Sequence, residues 1–350
     1  MTVARRPRIT LLIPAHDEEL GIVAAMESVE GQTLRPDRRI VVSDNSTDRT
    51  VELAAARPGW EVWKTVGNTG KKGGALNQAW AILEPTLADT DFVVTMDADT
   101  LLEPHFVECA RTKFREEEAK GCTLGGVCAN FSGLPLDTAL GALQMMEYAR
   151  AEQINRSRRG VAPVLAGAGT MPWAGARRSV PGGRGHLYEP VLTEDYELSL
   201  ALRINGYMTM APRSCKAQTD LMPTVPMLWA QRMRWYRGAF ESLRDHGFVS
   251  GIRSDIGWLL FSLWAAATRW LFLFTLIATV ILIGHIAFSP WLLLLFVFAS
   301  VIRIVQVKKL GWKYMLLAGL MVEELYYACF LEVVLWRALY LASGGREATW

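Results

Sequence analysis

Val93-Val94-Thr95-Met96-Asp97-Ala98-Asp99 is a short apolar run that ends in two carboxylates two residues apart. Such a run reads as a buried strand that delivers Asp97 and Asp99 to a sheet edge. Desolvated carboxylates persist there only if a cation or hydrogen-bond donors meet them. A divalent metal carrying a phosphate answers that need, because hard cations take carboxylate oxygens and complete their shell with phosphate and water. Taken alone, the same D-x-D is also an ordinary strand-ending turn. The flanking sequence decides between the two.

Upstream, the apolar run at residues 9–13 is closed by Pro14 and reads as a buried strand leading into a loop. His16-Asp17-Glu18-Glu19 then starts a helical pattern in which Ile22, Val23, Met26 and Val29 share a face. Residues 39–43 repeat the plan with a second strand ending at Asp44, and Asn45-Ser46-Thr47-Asp48 predicts an N-cap for a helix over 50–56. A third strand is expected at 60–66 and a helix over 74–83, and the fourth strand is the D-x-D stretch itself. Strand and helix alternating in this way, with acids at strand C-termini, predict an open α/β sheet whose ligand lies beyond those strand ends. Asp17, Asp44, Asp97 and Asp99 would converge on one crevice. Between them, Gly70-Lys71-Lys72-Gly73-Gly74 puts two cations on a flexible turn before a helix, which suits a diphosphate. It is not a P-loop, since the glycine spacing and the Ser/Thr after Lys are missing.

Downstream, an amphipathic helix is predicted over 106–117, a fifth strand over 123–131 and a helix over 136–154. The last has an apolar side (Leu140, Leu143, Met145, Met146) and a basic end (Arg150, Arg156, Arg158, Arg159), so it either lies on a membrane surface or faces a core. Ala166-Gly167-Ala168-Gly169-Thr170 is a small-residue loop that would let a ligand approach the backbone, or a plain turn. Gly182-Gly183-Arg184-Gly185 reads as a mobile loop of the kind that forms lids. Thr193-Glu194-Asp195 opens a helical pattern over 198–204, and its acids are either a helix-start signature or a general base. Gln231, Arg234 and Trp235 stand at i, i+3 and i+4 of a helix over 226–240 and so share one side. An amide, a guanidinium and an indole there make diphosphate donors beside a flat platform for a sugar ring. The same set also fits an interfacial helix with snorkelling arginine.

Composition bounds these readings. The chain has 350 residues, 51% of them hydrophobic, and a formal net charge of only +2, which argues two parts and gives no basic excess for nucleic acid. Its 5 cysteines form no CxxC pair and no zinc spacing, and are expected to be buried thiols in a reducing compartment. The basic N-terminus is interrupted too early for a signal peptide, so the first domain is expected in the cytoplasm. Apolar segments at 257–286, 291–305 and 314–342 suggest about three transmembrane helices, against the roughly 20 residues a bilayer crossing needs. Lys308, Lys309 and Lys313 place the loop before the third on the cytoplasmic side, and Glu323, Glu324 and Glu332 within it call for a protein or water-filled environment.

Pro14-Ala15-His16-Asp17-Glu18-Glu19, Ser43-Asp44, Asp97-Ala98-Asp99, Thr193-Glu194-Asp195 and Gln231-Arg232-Met233-Arg234-Trp235 occur in this order across residues 8–240. Together they resemble the membrane-bound inverting glycosyltransferases of family 2, the group of cellulose, chitin, hyaluronan and poly-N-acetylglucosamine synthases and ceramide glucosyltransferase. The resemblance implies a GT-A type nucleotide-sugar-binding domain over 1–225, an amphipathic interfacial region over 226–256 and membrane helices over 257–343. It implies that Asp44 binds the nucleotide base, with Pro14, Ala15, Asp17 and Glu18 lining that pocket. Lys71 or Lys72 would touch phosphate or ribose. Asp97 and Asp99 would serve the donor, with Asp99 the better direct ligand for Mg²⁺ or Mn²⁺. Asp195, beside Glu194, would take the acceptor proton. Gln231 and Arg234 would hold the diphosphate, and Trp235 the acceptor sugar, alongside Gly169 and Thr170.

The implied function is inverting transfer from a nucleotide sugar, a UDP-sugar first among them, to a polysaccharide or lipid, with polymer extension ahead of glycolipid formation. Polymer-secreting members usually carry transmembrane helices before the catalytic domain, and none is seen here, which leans the other way. A homo-oligomer is compatible with three spans being few for a conducting channel. A sugar nucleotidyltransferase and a non-catalytic membrane scaffold are the alternatives from other classes.

Overall fold

The structure is a computed structural model that describes residues 5–180, 191–285 and 290–344. The Gly182 to Gly185 loop expected to act as a lid lies outside the described residues. The chain divides into two compact units, one made of residues up to Leu136 with Ala151–Leu221, the other of Asp137–Arg150 with residues from Met222 onward. A single boundary at 225 is therefore replaced by an exchange: fourteen residues before Ala151 belong with the C-terminal unit.

The first unit contains β1 (Ile9–Ala15), α1 (Ile22–Glu30), β2 (Arg38–Ser43), α2 (Thr50–Ala55), β3 (Glu61–Lys64), α3 (Lys71–Leu83), β4 (Phe92–Thr95), β5 (Thr100–Leu102), α4 (Phe106–Glu118), β6 (Leu124–Cys128) and β7 (Asn130–Gly133). Helix α5 (Ala139–Ser157) ends in it, followed by β8 (Thr170–Pro172), α6 (Ala174–Ser179), α7 (Glu194–Ile204), β9 (Met208–Met210) and β10 (Lys216–Thr219). The main sheet has the order β3-β2-β1-β4-β8-β6-β9. Its first four strands are parallel, β8 runs antiparallel to both neighbours, and β9 returns parallel to β6. Alternate side chains explain the continuous apolar runs. Leu11, Ile13, Val41 and Val94 pack with Ile22, Met26 and Val29 of α1 on one face. Leu12, Ile40, Val42 and Val93 pack with Leu76, Trp80 and Leu83 of α3 on the other. Both faces are covered, as parallel strands require.

Four local expectations change. Residues 123–131 are not one strand. At Ala129, whose N–H donates to the Gly169 carbonyl, the chain leaves the main sheet, and β7 joins a three-stranded sheet of order β5-β10-β7. Helix α3 begins at Lys71, so both lysines sit in its first turn instead of a loop before it. Helix α2 is flanked by Arg49, and Asp48 reaches past it to accept from the Thr50 amide and hydroxyl. The cysteines are not all free thiols: Cys109 and Cys215 are disulfide-bonded with their Cα atoms 5.7 Å apart, 106 residues distant in sequence.

The second unit is helical, with α8 (Val225–His246), α9 (Arg253–Ile283), α10 (Pro290–Val307), α11 (Trp312–Gly319) and α12 (Ala328–Ser343). Thr224 caps α8 by accepting from the Met227 amide, with Pro226 in the first turn. Met233 and Phe240 of α8 pack on Val334, Leu335, Ala338 and Ala342 of α12. Ser250–Ile283 and Leu325–Ser343 are long and apolar enough to cross a membrane. The expected third span at 314–342 is not one helix: α11 stops at Gly319, Met321 takes a positive φ of 57°, and a π-helical turn over Glu323–Tyr327 precedes α12.

Candidate active site

Parallel strands end at one edge of the sheet, and this carries Ala15, Asp44 and Asp97 there together. The Asp44 amide donates to the Ala15 carbonyl at 2.8 Å. The Asp44 side chain is buried, and its Oδ1 accepts from Asn68 Nδ2 at 2.7 Å and Thr65 Oγ1 at 2.8 Å. Pro14 and Ala15 form the buried floor at the end of β1. Asp17 adopts a left-handed φ of 54° and accepts from the Thr47 amide at 2.7 Å. That hydrogen bond lowers its pKa despite some desolvation. Asp17 thus ties the loop after β1 to the loop after β2 and shapes the crevice through the backbone.

Glu18 points the other way, toward the D-x-D pair. Its pKa is pushed up to about 7, first by burial and then by the charges of Asp99, Asp97 and Asp220. Asp99 is likewise raised to about 6 by burial and by Asp97 and Asp220. Four carboxylates therefore crowd one place, and Asp220, just after β10, is one that the sequence reading did not pick. Its signal was the same as that of Asp44: an acid directly after a strand. The pattern was invisible there because β10 (Lys-Ala-Gln-Thr) carries no apolar run.

Lys72 brings a cation into this set. Its ammonium lies 2.5 Å from Asp97 and 2.6 Å from Glu194, bridging the end of β4 and the start of α7. Burial opposes its charge, but Asp97, Glu194 and Asp195 outweigh that and hold its pKa well above the usual lysine value. Lys71 is exposed and takes a left-handed φ of 52° as the helix begins.

Asp195 is fixed by the small-residue loop. Its Oδ2 accepts from the Gly167 amide at 3.1 Å, while the Gly167 carbonyl accepts from the Asp97 amide at 3.2 Å. Ser199 Oγ donates to the Asp195 carbonyl at 2.6 Å and accepts from the Leu165 amide at 2.7 Å, locking the loop to α7. Burial, then Glu194, pushes the Asp195 carboxyl up to about 6, only partly offset by Lys72. A Cβ on Gly167 would stand 2.8 Å from Lys72 Nζ and 2.9 Å from Asp97 Oδ2, so any larger residue would have to displace the ends of those two side chains. Gly169 is held at φ +136° against Leu102, and Thr170 Oγ1 donates to the Ala166 carbonyl at 2.8 Å. Both are buried and shape the loop from behind. Thr193 flanks α7, yet its hydroxyl makes no capping bond.

Gln231, Arg234 and Trp235 lie on the unbroken helix α8 of the second unit, so their shared side is real. Arg234 is exposed, while Gln231 and Trp235 are half-buried.

Among the described residues, no group of three or more His, Cys, Asp and Glu side chains has the arrangement of a self-sufficient metal site. Asp97 and Asp99, with like charges around them and Lys72 on one side, fit instead a hard cation that takes one or two carboxylates and completes its shell with phosphate oxygens.

Comparison with known proteins identifies the family. The chain matches the family model "Glycosyl transferase family 2" over residues 10–167 and "Glycosyl transferase family group 2" over residues 92–305. It is 25% identical over 240 residues to the poly-beta-1,6-N-acetyl-D-glucosamine synthase of Staphylococcus aureus (strain COL), covering 67% of this chain and 55% of that protein. It is 26% identical over 241 residues to the synthase of the same name from Staphylococcus epidermidis. The chain thus spans about half the length of the curated relatives it matches. Among solved structures, the mannosyltransferase PcManGT from Pyrobaculum calidifontis, in complex with GDP-Man and Mn²⁺, superposes with a TM-score of 0.62 at 18% identity, covering 98% of this chain and 89% of that one. With its strand-end carboxylates, its Lys72 bridge and a family match that covers more than half its length, the chain belongs to the family 2 glycosyltransferases.

Proposed function

We propose that the protein is an inverting transferase that moves N-acetylglucosamine from its UDP donor onto a growing β-linked polysaccharide at a membrane. The carrying observation is Asp195: a carboxylate oriented by the Gly167 amide and joined through Glu194 and Lys72 to the donor-side Asp97. The polymer and sugar are taken from the names of the staphylococcal relatives, and the membrane from the two apolar helices.

The acceptor hydroxyl oxygen attacks the anomeric carbon, the bond from that carbon to the diphosphate oxygen breaks, and Asp195 takes the hydroxyl proton. A base with a pKa near 6 is matched to this task at neutral pH. No carboxylate is assigned to the opposite sugar face as a nucleophile, so displacement is direct and an α-linked donor gives a β-linked product. Asp44 with Asn68 and Thr65 recognises the base. Lys71, exposed at the start of α3, meets the diphosphate; the family resemblance implies the same of Arg234 and makes Trp235 the platform for the acceptor ring. Mg²⁺ or Mn²⁺ held by Asp99 and Asp97 would neutralise charge on the leaving diphosphate.

Membranes bearing the full chain, incubated with labelled UDP-N-acetylglucosamine and Mn²⁺, should release UDP and accumulate polymer-bound label. Label recovered in a lipid extract would move the acceptor to a glycolipid, and turnover with GDP-mannose alone would move the donor. Asp195→Asn keeps the contact with Gly167 and should lower kcat by about 100-fold or more with UDP binding unchanged. Transfer that survives with binding lost would refute the role.

A further inference from the structure

Arg232, inside the Gln231 to Trp235 motif and three residues before Trp235, is fully buried. Its guanidinium contacts Gln231 Oε1, its neighbour in the motif. The same group lies 4.1 Å from the centroid of the Trp235 ring and 5.8 Å from that of Tyr148. Nη2 donates to Glu147 Oε2 at 2.7 Å, and the Tyr327 hydroxyl donates to the same oxygen at 2.5 Å. Glu147 itself is held in register with α8, because Gln144 one turn earlier on α5 exchanges two hydrogen bonds with the Met222 backbone at 2.9 and 3.0 Å. Burial opposes the guanidinium charge, and Glu147 more than restores it.

We infer that Arg232 is a positioning residue that fixes the Gln231 amide and the Trp235 ring from beneath, with Glu147 and Tyr327 as its anchor. The functional part of this inference rests on the reading of Trp235 as the acceptor platform. A planar guanidinium is suited to the role because it stacks on an indole while its edges still bond a carboxylate and an amide. Lysine cannot make all three contacts at once.

Removing one member of a buried ion pair strands the other, so R232M alone could simply misfold. Replacing both by apolar residues of similar volume is commonly tolerated. The test therefore uses R232M/E147L in the full chain, with UDP-N-acetylglucosamine, Mn²⁺ and a β-1,6-linked N-acetylglucosamine tetramer. The double variant should melt within a few degrees of wild type, raise the tetramer KM at least tenfold and move the donor KM less than twofold. W235A added to it should cost less than a further twofold, because the platform is already lost. An unchanged tetramer KM, or losses from W235A and R232M/E147L that multiply, would overturn the inference. A second readout does not need turnover. In protein labelled with 5-fluorotryptophan, the ¹⁹F resonance that W235F removes should shift or broaden in E147Q, although Glu147 acts on Trp235 only through Arg232. A resonance unmoved in both E147Q and R232M/E147L sinks the inference. A resonance that moves without any sugar transfer upholds it and counts against the acceptor reading instead.

Discussion

At the scale of single residues, the site is a problem of too many negative charges in a small volume. Asp97, Asp99, Asp195 and Glu194 all feel the ammonium of Lys72, while Glu18 stands beside Asp97 and Asp99. Gly167 is the residue that lets that ammonium in. Gly167→Ala should push Lys72 or Asp97 aside and lower kcat by about tenfold or more, with a lower Tm. Wild-type kcat in G167A would show that the loop yields without consequence. Charge crowding also fixes the sign of a pH effect. Glu18 at about 7 and Asp99 at about 6 lie above their ordinary carboxylate values, so the folded state binds more protons than the unfolded one and stability falls as pH rises through 5 to 7.5. The lowered carboxylates Asp17, Asp48, Asp91, Glu30, Glu61 and Glu117 titrate at or below the lower edge of that window and do not mask it. Activity should run the other way, falling below about pH 6 as Asp195 protonates. Thermal melts of wild type and Glu18→Gln across this window check it. E18Q should flatten the decline, and Mn²⁺ should raise Tm more at pH 7.5 than at pH 5.

At the scale of elements, legibility follows burial. Strands β1, β2 and β4 were readable because both faces are covered, so each is an uninterrupted apolar run. Their C-terminal acids came with them, and so did the half of the candidate site proposed for the donor. The three-stranded sheet was not readable. β5 has three residues and β10 is Lys-Ala-Gln-Thr, so their pairing is a product of tertiary contact and leaves no period in the sequence. The change of sheet at Ala129 is hidden for the opposite reason, since the apolar run continues straight through it. Lys72 could not be told from Lys71 without the helix phase, and Arg232 was passed over because only the residues on its motif's shared side were weighed. Helix starts were partly readable. Thr224 is a working cap for α8, and Thr224→Ala should cost about 1 kcal/mol of stability, read from the shift in denaturation midpoint of the full chain in detergent. A shift under about 0.3 kcal/mol would mean that Pro226 and packing on α12 set the helix start unaided.

At the scale of the whole molecule, the sequence anticipated a sheet domain and an apolar helical part, but not that residues 137–150 belong with the latter. One feature of the sheet has a mechanical meaning. Among the described strands, β8 alone joins the parallel β3-β2-β1-β4 half to the β6-β9 half. It meets β4 at Thr95 opposite Thr170, and just past its end Trp173 bridges Phe92 of β4. Asp44 and Asp97 belong to the first half, and the loop that orients Asp195 runs directly into β8. β8 thus marks a line in the sheet with Asp44 and Asp97 on one side, next to the loop that orients Asp195. Amide hydrogen exchange should find β8 opening together with the start of α7, well before β1 and β4 exchange. UDP with Mn²⁺ should slow that opening, and equal protection along the whole sheet would contradict it. Lys72, clasping Asp97 on one side and Glu194 on the other, then spans that line, and under the proposed function its two contacts are a tie that a bound donor would tighten.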